Sequence, residues 1–393
     1  EKKLNSKKVL GTSFIIIVLI LSALSLITMA SLSFPKSQSE YGNSYHYLIF
    51  QAGWLVAGGV GFVFTANYSY RNYKKYTKYY YAIGAFFLLL VLIVGKNTKG
   101  ATRWISIGPI SVQPSEFVKI ILIITLSTII YMLKSKDAKK NKGKKVIDRT
   151  KKFPWVSSLI IMVPVFIYAI LVILEKSFSS TAQIIIIGMT YLFISEIKYS
   201  VILVYTSLIG IGGWLSITKV GYRASRLAAY SSKDSIVYQT HHSLIAIANG
   251  KLSGRFYGNG LQKYNFLPEI HTDYIFSGFA EENGFMGVVF LMGLYLAMLV
   301  IMAVTLKKIK DAYAKYLLVG IFVMFATQVI GNIAVVSGAV PSTGIPLPMM
   351  SYGGSSIITA MTALGIAYNI IRALYKQEMG DSLDELNEVD YLM

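Results

Sequence analysis

A window of about 19 residues matches a hydrocarbon core of about 30 Å. Scanned that way, the chain shows ten apolar segments, beginning near Phe14, Leu48, Tyr79, Phe117, Trp155, Phe178, Val201, Phe285, Tyr316 and Ile357. The pattern predicts an all-α polytopic membrane protein of ten transmembrane helices, with a large extracellular loop between helices seven and eight. The first segment follows "KKLNSKK", but its apolar core exceeds an ordinary signal-peptide h-region and nine more segments follow, so it reads as a span. The sixth, "TAQIIIIGMTYLF", is short and bordered by Lys176 and Lys198. Losing it would reverse the sidedness of everything downstream.

Charge fixes the orientation. Lys and Arg gather in the N-terminal stretch and in "YRNYKKYTKY", "KSKDAKKNKGKKVIDRTKK" and "KKIKDAYAK". Ten spans place all four on one side, which the positive-inside rule makes cytoplasmic, with both termini inside. The net charge of +19 is therefore a topology signal, with the run 134–152 also suited to anionic lipid heads, and does not imply nucleic acid. A 54% hydrophobic composition and a mean hydropathy of +0.55 agree with a membrane protein. With no cysteine, thiol nucleophiles, disulfides and Cys-ligated metals are excluded. Residues 1–393 read as one transmembrane domain, with an extracellular loop at 218–274 and a cytoplasmic tail at 376–393. The acidic tail "DSLDELNEVDYLM" reads as solvated and disordered.

The same parity brings three unusual loops to the outer face. In "KNTKGATRWISIGPISVQPSE", Arg103, Trp104 and Gln113 precede a helix start at Pro114 and Ser115, and Glu116 and Lys119 share a helical face. Ionisable groups inside a span face a cavity or a partner. A structural ion pair and a ligand-orienting pair are both open here. In "VPSTGIPLPMMSYGGSS", prolines and glycines impose irregular backbone, which survives at membrane depth only when buried in protein or lining a wet cavity. Ser355 and Ser356 are placed to cap the last span and leave its amides for an anion. In the long loop, "HHSLIAIANGKL" reads as an interfacial or re-entrant helix ending near Asn249 and Gly250. After it come Gln262, Lys263, Glu269, His271 and Asp273. Glu281 and Glu282 follow two turns deeper, where a buried cation or a hydrogen bond within the bundle is expected.

Three stretches, "GATRWISIGPISVQPSEFVK", "YNFLPEIHTDYIFSGFAEENGFMG" and "PSTGIPLPMMSYGGSS", resemble the signature regions of the SEDS proteins, the FtsW/RodA/SpoVE family of cell-wall polymerases. The resemblance covers essentially the whole chain. It implies a peptidoglycan glycosyltransferase that joins lipid II units at the outer face of the bacterial cytoplasmic membrane, working with a class B penicillin-binding protein and other divisome or elongasome proteins. The family's essential aspartate falls on Asp273, its loop arginine on Arg103, and its helix-four glutamate and lysine on Glu116 and Lys119. Asp273 is then the expected general base of an inverting transfer, Arg103 and Lys119 the expected cations for the leaving pyrophosphate. Gln113, Trp104, Gln262, Lys263, Glu269, His271, Ser355 and Ser356 are expected to contact substrate.

A divalent cation, magnesium or manganese, is compatible with that chemistry without being required by it. Departures from the family pattern, including "MMSYGG", Asn283 and "AIANGKLSG", remove no titrating group. "VYQTHHSLIAIANG" and "GNGLQKYNFLPE" are closer to the division-type than to the elongation-type pattern. The rival class is a lipid II flippase or related transporter. It would place its polar groups near the midplane and often show internal repeats; here the motifs collect at helix ends.

Overall fold

The structure, a computed structural model, describes residues 2–98, 101–108, 110–135, 148–219, 237–341 and 344–390. The helices in chain order are α1 (Lys2–Leu32), α2 (Phe34–Tyr41), α3 (His46–Asn67), α4 (Tyr73–Val94), α5 (Pro114–Ser135), α6 (Arg149–Lys152), α7 (Pro154–Leu174), α8 (Phe178–Ile194), α9 (Tyr199–Lys219), α10 (Val237–Gly250), α11 (Ile275–Lys308), α12 (Ala312–Val336) and α13 (Gly354–Asp390). Among the described residues, eight helices are long and apolar enough to cross a membrane: α1, α3, α4, α5, α7, α11, α12 and α13. The two remaining apolar segments are shorter: α8 and the Tyr199–Trp214 part of α9. At 17 residues, α8 reaches about 26 Å, slightly less than the hydrocarbon thickness. Residues 136–147 of the basic run and 220–236 of the long loop lie outside the described residues.

Burial sorts the spans into layers. α5 and α13 are the most enclosed, whereas α3 and α4 sit at the periphery with Val56, Val60, Phe64 and Ile93 exposed as a lipid-facing surface. α3 packs along α13, α4 along α5, α7 along α8, and α10 along α11. The expected all-helical membrane fold is present, and the loop before α5 adds to it a small three-stranded antiparallel sheet, β1 (Lys96–Thr98), β2 (Ala101–Ile107) and β3 (Ile110–Val112). Alternating β-branched and aromatic residues in "TRWISIGPISV" suit such a hairpin, with Gly108 at φ 62° in the turn. One expectation is corrected: the acidic tail, expected to be disordered, is helical, since α13 continues through it to Asp390.

The long loop is held to α11 where that helix breaks. Gly284 has φ 64° and ψ −169°, a conformation open to glycine. A Cβ built on it would lie 2.2 Å from the Gly254 nitrogen, so the loop backbone occupies the space a side chain would need. The amides freed by the break find new acceptors: Phe285 donates to Lys251 O at 2.9 Å and Met286 to Leu252 O at 3.2 Å. The carbonyl of Glu281 accepts from Arg255.

Just above the break, the expected partner for the paired glutamates is present. Lys263 donates its three Nζ hydrogens to Glu282 Oε1 at 2.8 Å, Ser31 Oγ at 2.9 Å and Gly258 O at 2.7 Å. Glu281 accepts from the Gln262 amide at 3.0 Å and Asn249 Nδ2 at 3.3 Å, and Gln262 Oε1 meets His242 Nδ1 at 2.7 Å. The expectation that Gln262 and Lys263 contact substrate gives way: both are buried, and Lys263 has every donor occupied. They pin the loop.

Lys263→Ala should therefore lower stability by about 3–5 kcal/mol, the usual effect of leaving one buried charge alone, and Lys263→Met with Glu282→Leu should restore most of it. Thermal melting of the detergent-purified variants checks this. Unchanged melting of the single variant would contradict the clamp.

Candidate functional site

Asp273 ends the long loop just before α11 and is half-buried. Its position follows from backbone ties on both sides. Asn332, fully buried in α12, donates through Nδ2 to Asp273 O and to Ile345 O, each at 2.8 Å. One side chain thus joins the aspartate loop to the proline-rich loop. Ser351 Oγ donates to Thr272 O at 2.6 Å, the Leu347 amide donates to Ser351 Oγ at 2.8 Å, and the Tyr352 amide donates to His271 O at 2.9 Å. Gly344, at φ 73°, passes so close that a Cβ there would lie 3.4 Å from Asp273 Oδ2. Ser179 at the start of α8 donates to Gly344 O at 3.4 Å.

His271 and Glu269 flank this segment differently. His271 is buried against Tyr47, ring centroids 4.7 Å apart, and Tyr47 meets Tyr352 at 5.0 Å. Burial pushes the His271 imidazole down to about 4, with the Lys36 charge adding to the shift and Glu269 opposing it, so the ring is neutral at physiological pH. Glu269 lies 3.9 Å from Lys36 and accepts from Thr272 Oγ1 at 3.0 Å. Among the described residues no three His, Asp or Glu side chains stand together as metal ligands.

The first signature stretch reaches the same end of the bundle. Arg103 and Trp104 on β2 are half-buried, and Arg103 donates to the Lys176 carbonyl in the turn between α7 and α8. Beside it, Glu175 is fully buried, and neither of its carboxyl oxygens has a hydrogen-bond partner among the described residues. Burial pushes this carboxyl up to about 8, with Arg103 pulling partly back. At the N-terminus of α5, where Pro114 occupies the first turn, Lys119 donates to both oxygens of Glu116 at 2.8 and 2.9 Å and to Gln183 Oε1 of α8 at 2.8 Å. The anticipated pair is real, and it also bridges to α8. The Gln113 amide donates to Ser355 Oγ at 2.8 Å, and Gln113 Nε2 to Ser115 Oγ at 2.9 Å. Ser355 and Ser356 do not cap α13, because that helix starts one residue earlier at Gly354; Ser355 receives β3's exit instead.

These stretches, far apart in sequence, are therefore joined at one end of the bundle, and the arrangement matches known proteins. The family model described as cell cycle protein, FtsW/RodA/SpoVE, matches residues 11–376. The chain belongs to this family. It is 32% identical over 373 residues to a probable peptidoglycan glycosyltransferase FtsW of Coxiella burnetii, covering 93% of this chain and 96% of that one. A protein of the same description from Thiomicrospira cyclica is 31% identical over 391 residues, covering 96% and 95%. In fold the chain is similar to Thermus thermophilus RodA, with TM-score 0.65, 23% identity and coverage of 92% and 96%. It is also similar to a chain of a peptidoglycan synthase complex, with TM-score 0.70, 23% identity and coverage of 92% and 97%.

Within this FtsW/RodA/SpoVE chain, four structural contributors escape a motif reading. Asn332 and Gln183 are buried amides inside largely apolar helices, Ser351 follows the prolines, and Glu175 comes directly after α7. Their common signal is a polar group where hydropathy alone gives no reason for one.

Glu175 yields a pH prediction. Its carboxyl binds a proton more tightly folded than at its usual 4.5, so stability falls as pH rises from about 4.5 to about 8 and is flat beyond. Glu175→Gln should remove that slope and gain in melting temperature relative to the wild type between pH 5 and about 8.5. Parallel melting curves for the two proteins across that range would contradict it.

Proposed function

We propose that this chain polymerises peptidoglycan glycan strands from lipid II at the outer face of the bacterial cytoplasmic membrane, which it crosses ten times. The observation that carries the proposal is the union of Asp273, the Gly344 segment and the Gln113–Ser355 contact at one end of the bundle. The names of its FtsW relatives support the reaction class and favour a role in division over elongation. Likeness to a chain of a peptidoglycan synthase complex supports a class B penicillin-binding protein as partner.

The chemistry follows from the substrate. Outside the cell no nucleotide is supplied, so the sugar arrives with its own leaving group, a pyrophosphate on an undecaprenyl tail. The 4-hydroxyl of the acceptor N-acetylglucosamine attacks the anomeric carbon of the donor's terminal N-acetylmuramic acid. Asp273 takes the hydroxyl proton as the bond to the lipid pyrophosphate breaks. A single base on the attacking side inverts the α-linked donor to a β-1,4 product with no covalent intermediate. The half-buried Arg103 supplies a guanidinium fork for the departing phosphates, a charge that matters more in the transition state than before it.

Lys119 has a different part. With its three donors held by Glu116 and Gln183, it sets the spacing of α5 and α8 and contributes a fixed positive charge from beneath the site.

Purified Asp273→Asn, which keeps size and loses the base, should polymerise lipid II about 10²–10⁴ times more slowly than the wild type while melting normally. Near-normal rate and strand length would remove Asp273 from the mechanism. Lipid II translocation by the wild type without any polymer would favour a transporter.

Arg103→Ala should lower kcat/KM for lipid II without altering melting, whereas Lys119→Ala, which strands Glu116, should lower both activity and stability by about 3–5 kcal/mol in the latter. Equal melting of all three proteins would contradict the division of roles.

A further inference from the structure

At the other end of the bundle the structure has a second polar site. α3 and α13 both begin beside the aspartate cluster, where Tyr47 meets His271 and Ser355 meets Gln113. α3 ends at Asn67 and the apolar, span-length part of α13 ends at Leu374, beside Arg372; the 22 residues of α3 cover about 33 Å, a full hydrocarbon thickness. There, a cavity of about 530 Å³ opens among Asn67, Tyr70, Arg71, Asp311, Asn369 and Arg372. Its walls come from four segments of chain: the end of α3, the turn between α3 and α4, the α11–α12 turn and α13.

The cavity is built to keep two guanidinium groups in place. Arg372 donates to Asn67 Oδ1 at 3.1 Å and to Ala66 O at 2.8 Å, and Asn369 Nδ2 also donates to Ala66 O, at 2.7 Å. Arg71 donates through Nε to Asp311 Oδ2 at 3.2 Å. Of the five N–H donors on each guanidinium, these contacts occupy two on Arg372 and one on Arg71. Asp311 offers an incoming anion little repulsion. Its Oδ2 also accepts from Tyr70 at 2.9 Å, and its Oδ1 caps α12 by accepting from the amides of Tyr313 and Ala314. Burial would raise this carboxyl, but Tyr70, those two amides and the Arg71 charge together hold it below the usual range. It stays ionised as the counter-charge of Arg71, leaving the cavity one positive charge in excess. Exposed Lys307, Lys308 and Lys310 flank the segment that brings Ile309 and Asp311 to the wall and add to that field.

We propose that this cavity binds the phosphate of an anionic phospholipid head group, at the membrane face opposite Asp273. Size, charge and depth support a lipid source. The lining residues cluster where Asn67 ends one span and Leu374 another, and where Lys308 and Ala312 bracket a short turn, the level at which a bilayer's phosphates lie. Arginine pairs at that depth present planar donors to phosphate oxygens, a geometry a lysine does not supply. The acidic end of α13 is directed away, since the helix runs on from Arg372 to Asp390 without folding back. A lipid wedged here would touch α3, the α3–α4 turn, α13 and the α11–α12 turn together, and so couple the spans carrying the signature regions to the lipid composition of the far leaflet.

The test uses the detergent-purified full chain in a detergent with an uncharged head. Dihexanoyl phosphatidylglycerol should raise the melting temperature saturably, and dihexanoyl phosphatidylcholine at equal concentration should not. In Arg71→Gln/Arg372→Gln the apparent affinity should weaken by about tenfold or more, as loss of charge-assisted hydrogen bonds requires. Arg71→Gln alone, at a mostly exposed side chain, should retain the fold and weaken binding several-fold. Lys198→Gln, an exposed cation at the same end of the bundle, should leave the affinity unchanged. Equal affinity in wild type and Arg71→Gln, or equal stabilisation by phosphatidylcholine, would overturn the proposal. Stabilisation by inorganic phosphate without any by phosphatidylglycerol would assign the site to a soluble anion and overturn the lipid source.

Discussion

Two hydrogen bonds from a single amide fix the geometry of the candidate site. Asn332 lies in a mostly apolar helix, with no exposed surface, and its Nδ2 donates to the carbonyls of Asp273 and Ile345. Both carbonyls belong to irregular backbone at the end of a membrane bundle, where an unsatisfied peptide group is costly because water is scarce. Meeting both with one donor group makes the aspartate loop and the proline-rich loop a single unit. Everything proposed for Asp273 depends on that tie, since a base on an untethered loop would not hold a reacting hydroxyl within hydrogen-bond reach.

The same rule governs the charges. Lys119 with Glu116 and Lys263 with Glu282 are buried pairs whose remaining hydrogen-bonding capacity is taken up by Gln183, Ser31 and Gly258. Such pairs add little net stability over apolar packing, but breaking one is expensive, so they impose a particular arrangement. Each joins elements distant in sequence: α5 to α8 in one case, the long loop to α1 and α11 in the other. Glu175 differs, being buried with no hydrogen bond to either carboxyl oxygen among the described residues, and its shift toward the neutral form is the physical response to that setting.

Much of this was legible in the chain. Hydropathy alone located the eight span-length helices and the two shorter apolar ones, because a span needs length and little else, and the half-length helix ending at Gly250 announced itself by its own apolar period and terminal glycine. The spacing of Glu116 and Lys119 predicted their contact. The sheet carrying Arg103 was not legible, since its strands are short and lie in a stretch that reads as a loop. Nor were the roles of Gln262 and Lys263: charge identity marks a residue as important without saying whether its partner is a ligand or Glu282. The far-end cavity was hidden for a related reason. Arg71 and Arg372 lie about 300 positions apart, and only the pairing of α3 with α13 brings them to one wall.

The account stands or falls on sidedness: the Asp273 cluster must face outward and the arginine cavity inward. The chain has no native cysteine, so single cysteines report without background. Asn259, exposed on the clamped loop, and Lys310, exposed beside the cavity, mark the two ends. In intact cells stripped of wall, a membrane-impermeant thiol reagent should label Asn259→Cys and leave Lys310→Cys unmodified until the membrane is opened. Labelling of Lys310→Cys in intact cells, or protection of Asn259→Cys there, would contradict an outward-facing polymerase site.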